Sequence, residues 1–305
     1  MPSFEYLRPK SINEAISLLE SHGEKGRYIA GGTDVIVKIK ERKMAPEYLI
    51  SLRHIPDLAY IHRDPEGILR LGALTTHRML EQSPLVRRYY PCIFDAVEKI
   101  GSVQIRNVAT IGGNICNAVP SADGVIPLLI LGAQVTLVGP KGKRSLPLKS
   151  FFLGPGLTLM EPGEILTEFF IPPLPANSSG GYIKHTRREA MELPIVGVGC
   201  FLALSPDSKT CTKARIGLGV AAPTPIRAYL AEEYLQGQEI SETTLAEAGR
   251  ITAKETKVRD SIRGQAWYRR EMVEVLIRRV GLRVLDRIIQ TKIIGDSQFH
   301  AKNGF

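Results

Sequence analysis

Past the middle of the chain runs Pro172-Pro173-Leu174-Pro175-Ala176-Asn177-Ser178-Ser179-Gly180-Gly181, and this stretch limits what the chain can fold into. Proline fixes φ and carries no N–H, so it ends strands and helices, and the glycines that follow loosen the backbone. The stretch therefore reads as a linker. It divides the chain into residues 1–175, residues 180–290 and a polar tail, 291–305, read as disordered. Two domains also suit a length of 305 residues.

The periodicities on both sides of the linker mix helix and strand. Ser11 and Glu14 form a capping-box pair ahead of Ala15, Ile16, Leu18 and Leu19, which starts a helix. Strands are predicted over 27–30, 48–52, 68–72, 134–138 and 165–171. Two helices are predicted between 76 and 100, the second opening near Pro84, then a polar glycine-rich loop over 104–124 and a buried helix over 125–131. After the linker, strands are predicted over 182–186, 195–204 and 214–220, followed by two helical stretches. In the later one Val273, Leu276, Ile277, Val280, Val284 and Ile288 recur at three- and four-residue spacing. They make one apolar face, with Arg269, Arg270, Arg278, Arg279 and Arg283 beside it.

The net charge of +9 permits nucleic acid, an anionic membrane, an acidic partner or a phosphate-bearing cofactor. Its distribution narrows the choice. The excess gathers near the last helix, and there is no basic tail interleaved with aromatics, so the reading is no nucleic acid. No apolar run has the length of a membrane span, and the N-terminus MPSFEYLRPK lacks a secretory pattern. Cys92, Cys116, Cys200 and Cys211 form no CxxC pair, and the histidines show no ligand spacing. No metal site and a cytoplasmic location are therefore expected. No nucleophile–histidine–acid set is visible, so no catalytic residue is assigned.

Two glycine pairs carry the functional reading. In Ala30-Gly31-Gly32-Thr33-Asp34 a glycine turn follows an apolar strand. It lets a ligand approach the backbone and aims N–H groups outward, as a pyrophosphate site needs. The alternative is a tight turn between strands. In Thr110-Ile111-Gly112-Gly113-Asn114-Ile115-Cys116-Asn117 a second pair is flanked by a hydroxyl and amides, with Asp123 beyond, able to bond a ribose or ribityl hydroxyl. Its alternative is a surface loop held by asparagine turns. Together the two pairs suit the two phosphates of a dinucleotide. Gly217-Leu218-Gly219-Val220-Ala221-Ala222 resembles a Rossmann fingerprint, but Pro223-Thr224-Pro225 forbids the helix such a site needs, so it reads as a strand end. Near Lys184, the cations Arg187 and Arg188 are able to offset negative charge on a bound ligand, or simply to face solvent. The residues by themselves lead to a two-domain α/β protein with a candidate dinucleotide site.

Three segments carry a resemblance: residues 30–34, the run Gln104-Ile105-Arg106-Asn107-Val108-Ala109-Thr110-Ile111-Gly112-Gly113-Asn114-Ile115-Cys116-Asn117, and Ala221-Ala222-Pro223-Thr224-Pro225-Ile226-Arg227. In order and spacing they resemble the FAD-binding (medium) subunits of molybdenum hydroxylases, the xanthine and carbon monoxide dehydrogenase family. The likeness is greatest to the bacterial xanthine dehydrogenase subunits and extends to about residue 290. It implies an α+β fold. A two-lobed FAD-binding domain of the PCMH or vanillyl-alcohol-oxidase type is followed by a C-terminal domain with a three-stranded antiparallel sheet and helices. It implies FAD contacts from Arg27, Tyr28, Ile29, Ala30, Gly31, Gly32, Thr33 and Asp34 on one side, and from Thr110, Gly112, Gly113 and Asn114 on the other. Asp123 and Lys184 would be polar contacts, and Ile100 and Leu166 apolar ones. Leu193 stands where carbon monoxide dehydrogenase relatives carry an aromatic residue near the ring. The cysteine-bearing insertion of 4-hydroxybenzoyl-CoA reductase flavin subunits is missing.

The resemblance further implies partners: a large subunit with the molybdenum cofactor and a small one with [2Fe–2S] clusters, assembled as a dimer of heterotrimers. This chain would take electrons from the clusters and pass them through FAD to NAD⁺ or another acceptor. Two other readings remain open on the residues: a free-standing flavin oxidoreductase of the same fold, and a non-enzymatic basic binding protein.

Overall fold

The computed structural model describes residues 1–302, with side chains described through Ile293. The chain opens with β1 (Glu5–Leu7), α1 (Ile12–His22), β2 (Gly26–Ile29), α2 (Val35–Lys40) and β3 (Tyr48–Ser51). The strands pair in parallel in the order β1-β3-β2, and parallel strands need crossovers, which α1 and α2 supply. The helix α1 starts where its cap predicts: Ser11 Oγ accepts the Glu14 N–H at 3.1 Å. The Glu14 carboxylate reaches the N–H of Lys10 at 2.7 Å, one residue before the usual capping-box donor.

A second lobe follows. It contains β4 (Ile61–Arg63), β5 (Leu69–Gly72), β6 (Gln134–Gly139), β7 (Gly142–Pro147), a small ribbon of β8 (Phe152–Gly154) and β9 (Leu157–Thr158), and β10 (Ile165–Ile171). Five of these make an antiparallel sheet in the order β4-β5-β10-β6-β7. Between β5 and β6 come α3 (His77–Gln82), α4 (Pro84–Tyr89), α5 (Pro91–Val97), α6 (Val103–Val108), α7 (Ile111–Cys116) and α8 (Val125–Leu131). Here the structure departs from the sequence reading twice. Three helices, not two, lie between 76 and 100, because Pro91 as well as Pro84 occupies a first helical turn. And 104–124 is not an irregular loop, since α6 and α7 lie in or across it, capped by Ser102 and Thr110. Helices of six residues are too short to show a periodicity.

The last part contains β11 (Ser178–His185), β12 (Val196–Leu204), β13 (Cys211–Gly219) and β14 (Ile226–Arg227), then α9 (Tyr229–Leu235), α10 (Glu242–Glu255) and α11 (Ala266–Lys302). The expected three long antiparallel strands are joined by a fourth of two residues. Three helices, not two, follow them. The six apolar positions predicted on the last helix are all buried. That helix runs through Lys302, past the point where a tail was expected at 291, and residues 303–305 lie outside the described residues.

The linker is shorter than its composition suggests, because β11 begins at Ser178. Gly180 and Gly181 do not loosen the chain. A Cβ on Gly180 would stand 2.9 Å from Cys92 Sγ, and one on Gly181 would stand 2.9 Å from Val284 Cγ2. Alternate residues of a strand face opposite ways, so this pair opens one sheet face to α5 and the other to α11. The Rossmann-like glycines have a similar use. A Cβ on Gly217 would lie 3.0 Å from Ile130 Cγ2, and one on Gly199 2.7 Å from Ile126 Cγ2, so the sheet admits the wholly buried α8 at close range.

Where α5, β11 and α11 meet, Asp95 is 9% exposed and accepts three hydrogen bonds from two residues. Its Oδ1 accepts from Arg287 Nη2 at 2.8 Å. Its Oδ2 accepts from Arg287 Nη1 at 2.8 Å and from the Tyr182 N–H at 3.0 Å. Removing Arg287 leaves that carboxylate buried without its counter-charge. Arg287→Met is expected to cost about 3 kcal/mol in denaturant unfolding, and Asp95→Asn in the same chain to restore part of it. Equal stability of Arg287→Met and the parent chain would show that the joint does not depend on the pair.

Candidate functional site

A cleft of about 1300 Å³ opens between the two lobes and reaches the C-terminal sheet. Sites for small metabolites span roughly 300–1000 Å³, so this one has room for a dinucleotide.

The two glycine segments meet in its wall. Loop 30–34 leaves the end of β2 and lies against the end of α6. A Cβ on Gly31 would stand 2.1 Å from the Val108 carbonyl oxygen, so only glycine permits the contact. Gly32 has φ +78°, a conformation other residues adopt at a cost, and its missing Cβ would point at Ile29 and Ile36. A polar tie completes the junction. Asp34 Oδ1 accepts from Asn117 Nδ2 at 2.7 Å, and Asn117 Oδ1 accepts from Lys38 Nζ at 2.8 Å.

The second segment differs from a nest of free donors. The N–H groups of Ile111, Gly112, Gly113 and Asn114 go to Thr75 O (3.0 Å), Ala73 O (2.8 Å), Thr110 Oγ1 (3.1 Å) and Thr110 O (3.0 Å). What this segment offers is shape. Gly112 is pressed on Ala73, whose carbonyl oxygen would be 2.6 Å from an added Cβ. Gly113 would meet only Thr110 Oγ1, at 3.0 Å, and otherwise faces the open cleft. In loop 30–34, by contrast, the N–H groups of Gly32, Thr33 and Asp34 have no acceptor among the described residues.

At the other end Ile100 and Leu166 supply apolar wall, and Leu193 and Met191 stand exposed at the rim. Lys184 and Asp123 sit together there, each side chain 5% exposed. Lys184 Nζ is 2.9 Å from Asp123 Oδ2 and donates to the Lys99 carbonyl at 2.9 Å. An ammonium has three donors, which leaves one for a ligand. Asp123 Oδ1 accepts from the Tyr182 hydroxyl at 2.6 Å. Burial pushes the Asp123 carboxyl up, against the pull of Lys184 and Tyr182. Asp123 is thus first a protein-bound carboxylate, with its remaining lone pairs free for a ligand.

Fifteen of the sixteen site residues read from the sequence line this cleft: Arg27, Tyr28, Ala30, Gly31, Gly32, Thr33, Asp34, Ile100, Thr110, Gly112, Gly113, Asn114, Asp123, Leu166 and Lys184. Ile29 does not. Its side chain packs with Ile39 and Leu49 in the first lobe's core. The Tyr28 hydroxyl is used within the protein, donating to Gly163 O at 3.2 Å, and burial raises its pKa.

Sequence reasoning missed other lining residues, among them His77, Cys116 and Met160. Nothing near His77 in sequence marks it except Thr76, which caps α3. His77 is 1% exposed, and neither ring nitrogen has a partner among the described residues. Burial, aided by the Arg106 charge, lowers its pKa to about 4. Cys116 is pushed up to about 12 by burial, so it is a thiol and not a nucleophile at neutral pH. Among the described residues no group of three or more His, Cys, Asp or Glu side chains is placed to hold a metal ion.

Fold and cleft together, with both glycine segments in one wall, define a nucleotide-cofactor-binding protein. Two family models then match in succession. "FAD binding domain in molybdopterin dehydrogenase" matches residues 2–174, and "CO dehydrogenase flavoprotein C-terminal domain" matches residues 181–284. The chain belongs to the family of FAD-binding medium subunits of molybdenum hydroxylases of the xanthine and carbon monoxide dehydrogenase type, which are oxidoreductase components. It is 33% identical to a putative xanthine dehydrogenase FAD-binding subunit of Escherichia coli, over 90% of this chain and 94% of that protein. It is 35% identical to the carbon monoxide dehydrogenase medium chain of Afipia carboxidovorans, over 91% and 95%. Among solved structures, a Cu,Mo-CO dehydrogenase chain superposes with a TM-score of 0.89 at 35% identity, covering 94% of this chain and 99% of that one. A quinoline 2-oxidoreductase chain from Pseudomonas putida gives 0.86 at 27% identity, over 93% and 98%.

His77 makes acid stability testable. Its pKa is about 4 in the folded chain against 6.5 ordinarily. Between those values the unfolded chain binds more protons. Stability is therefore complete above pH 6.5 and is lost as pH falls toward 4. His77→Phe is expected to remove up to about 3 kcal/mol of that acid-induced loss. Parallel stability–pH curves for the two proteins would contradict this.

Proposed function

We propose that the cleft holds one FAD in extended form, with the pyrophosphate at the junction of residues 30–34 and 110–114 and the flavin ring toward Ile100, Asp123, Leu166 and Lys184. The observation that carries this reading is the glycine contact at Gly31 and Val108, which makes one cleft wall from two distant segments. The residues present fit the group. Loop 30–34 turns free N–H donors to the phosphates, Gly113 leaves room for them, and the far end pairs apolar wall with one ammonium. Bound there, FAD supplies two-electron chemistry that can also proceed one electron at a time. The chain's own share is to hold the phosphates, to set the charge beside the ring through Lys184 and Asp123, and to narrow access at Leu193 and Met191.

The subunit's work is then electron transfer. It receives electrons from [2Fe–2S] clusters of a small subunit, reduced in turn by a large subunit with the molybdenum cofactor, and delivers them to NAD⁺ or another acceptor. Two family members support the assembly: the carbon monoxide dehydrogenase medium chain and a nicotine 6-hydroxylase medium subunit. A medium subunit stands between a larger and a smaller one, and a dimer of heterotrimers is the assembly we propose. No helix among the described residues is long and apolar enough to cross a membrane. The four cysteines are free, which suits a reducing cytoplasm.

The purified complex is expected to release one FAD per copy of this chain on acid or heat treatment, read by absorption, and to contain molybdenum and iron. Release of no flavin would refute the cofactor assignment, and a lone, active, flavin-loaded chain would favour a free-standing oxidoreductase. Gly113→Val fills cleft space without touching backbone. It is expected to weaken FAD binding roughly tenfold or more, about 1.4 kcal/mol, with an unchanged thermal midpoint. Gly31→Val drives a side chain into the Val108 carbonyl and is expected to lower the midpoint itself. If Gly113→Val binds FAD as the parent does, the phosphates lie elsewhere.

A further inference from the structure

We propose that Tyr182 is a positioning residue which, through Asp123, sets the charge that Lys184 presents to the flavin; this rests on the FAD placement above. Three observations converge on it. Tyr182 is 2% exposed, and its hydroxyl donates to Asp123 Oδ1 at 2.6 Å while Asp123 Oδ2 meets the Lys184 ammonium at 2.9 Å. Its ring lies over Gly197 on the neighbouring strand. A Cβ there would stand 2.4 Å from the Tyr182 hydroxyl oxygen, so the tyrosine has its position only because Gly197 has no side chain. And its backbone is clamped from both sides, its N–H given to Asp95 and its carbonyl accepting from Arg283 Nη1 at 3.4 Å.

The charge logic follows from this geometry. Asp123 and Lys184 neutralise each other only while Asp123 is ionised. Burial in low dielectric favours the neutral carboxyl, and a charge-assisted hydrogen bond from Tyr182 favours the carboxylate. The charged and titratable groups around Asp123 are few. From β11 come Tyr182 and Lys184. Beyond Tyr182 stand Asp95 from α5 and Arg283 and Arg287 from α11, with Asp95 and Arg287 paired to each other. Without the hydroxyl, Asp123 takes up a proton at higher pH. Lys184 then stands uncompensated beside a ring that gains negative charge on reduction, which raises the flavin potential.

The test is the midpoint potential of bound FAD against pH, measured in the flavin-loaded complex together with FAD affinity. Tyr182→Phe is expected to move the break in that profile upward by about one pH unit, with a more positive potential below the break. Asp123→Asn is expected to raise the potential above the parent's break, to remove the break, and to abolish the effect of adding Tyr182→Phe. Gly197→Ala, which displaces the hydroxyl without removing it, is expected to behave like Tyr182→Phe. A pH profile unchanged in both Tyr182→Phe and Gly197→Ala, even with weaker FAD binding or lower stability, would reduce Tyr182 to packing and overturn the inference while leaving the FAD site in place. A parent complex without bound flavin would overturn both.

Discussion

Asp95 is the point through which the two halves of the molecule hold each other. A carboxylate so little exposed survives only with its charge met, and Arg287, almost at the end of the chain, meets it with two parallel N–H bonds. The third donor is the backbone of Tyr182, on the first strand after the linker. One side chain from the FAD-binding half thus fixes both the sheet and the last helix of the other half. Because the Tyr182 side chain continues to Asp123, and Asp123 to Lys184, the joint and the Lys184 end of the cleft are one connected network. Such networks are rigid when every member is satisfied.

Glycine does most of the remaining positioning, and it does so by absence. Gly31 lets two loops touch, Gly112 lets α7 settle on Ala73, and Gly180, Gly181, Gly199 and Gly217 let helices lie close on both faces of the C-terminal sheet. In each case the neighbouring atom stands where a Cβ would be, so the contact depends on contact distance and not on backbone flexibility. Gly32 is different in kind, since there it is the positive φ that matters.

The arginine-rich last helix shows how a surface-like pattern can be structural. Arg287 pairs with Asp95, Arg283 reaches the Tyr182 carbonyl, and Arg269 is buried, donating to the Val220 carbonyl at 3.3 Å. Arg278 pairs with Glu242 on α10. Part of what raises the net charge is therefore spent on joining elements, and the charge total alone says little about partners.

Much of the site was legible because it depends on local chemistry. The two glycine pairs and the proline-bearing motif are chain properties, and the resemblance they carried named the family and fifteen of the residues that line the cleft. Eight of the strands and the apolar face of α11 were legible for the same reason, that residues two, three or four apart share a face in any strand or helix, while the short strands β1, β4, β8, β9 and β14 and the exposed β7 were not. Helices of six residues, the inward turn of Ile29, the internal use of the N–H groups at 111–114, and the parts played by His77 and Tyr182 were not legible. Each is set by what lies across a contact from distant sequence. Local rules determine where the backbone can bend and which atoms can donate. Whether a donor is spent inside the protein or left facing the cleft is decided only when segments such as Gly31 and Val108, or Asp95 and Arg287, are brought to contact distance. At that range packing and desolvation outweigh local preference.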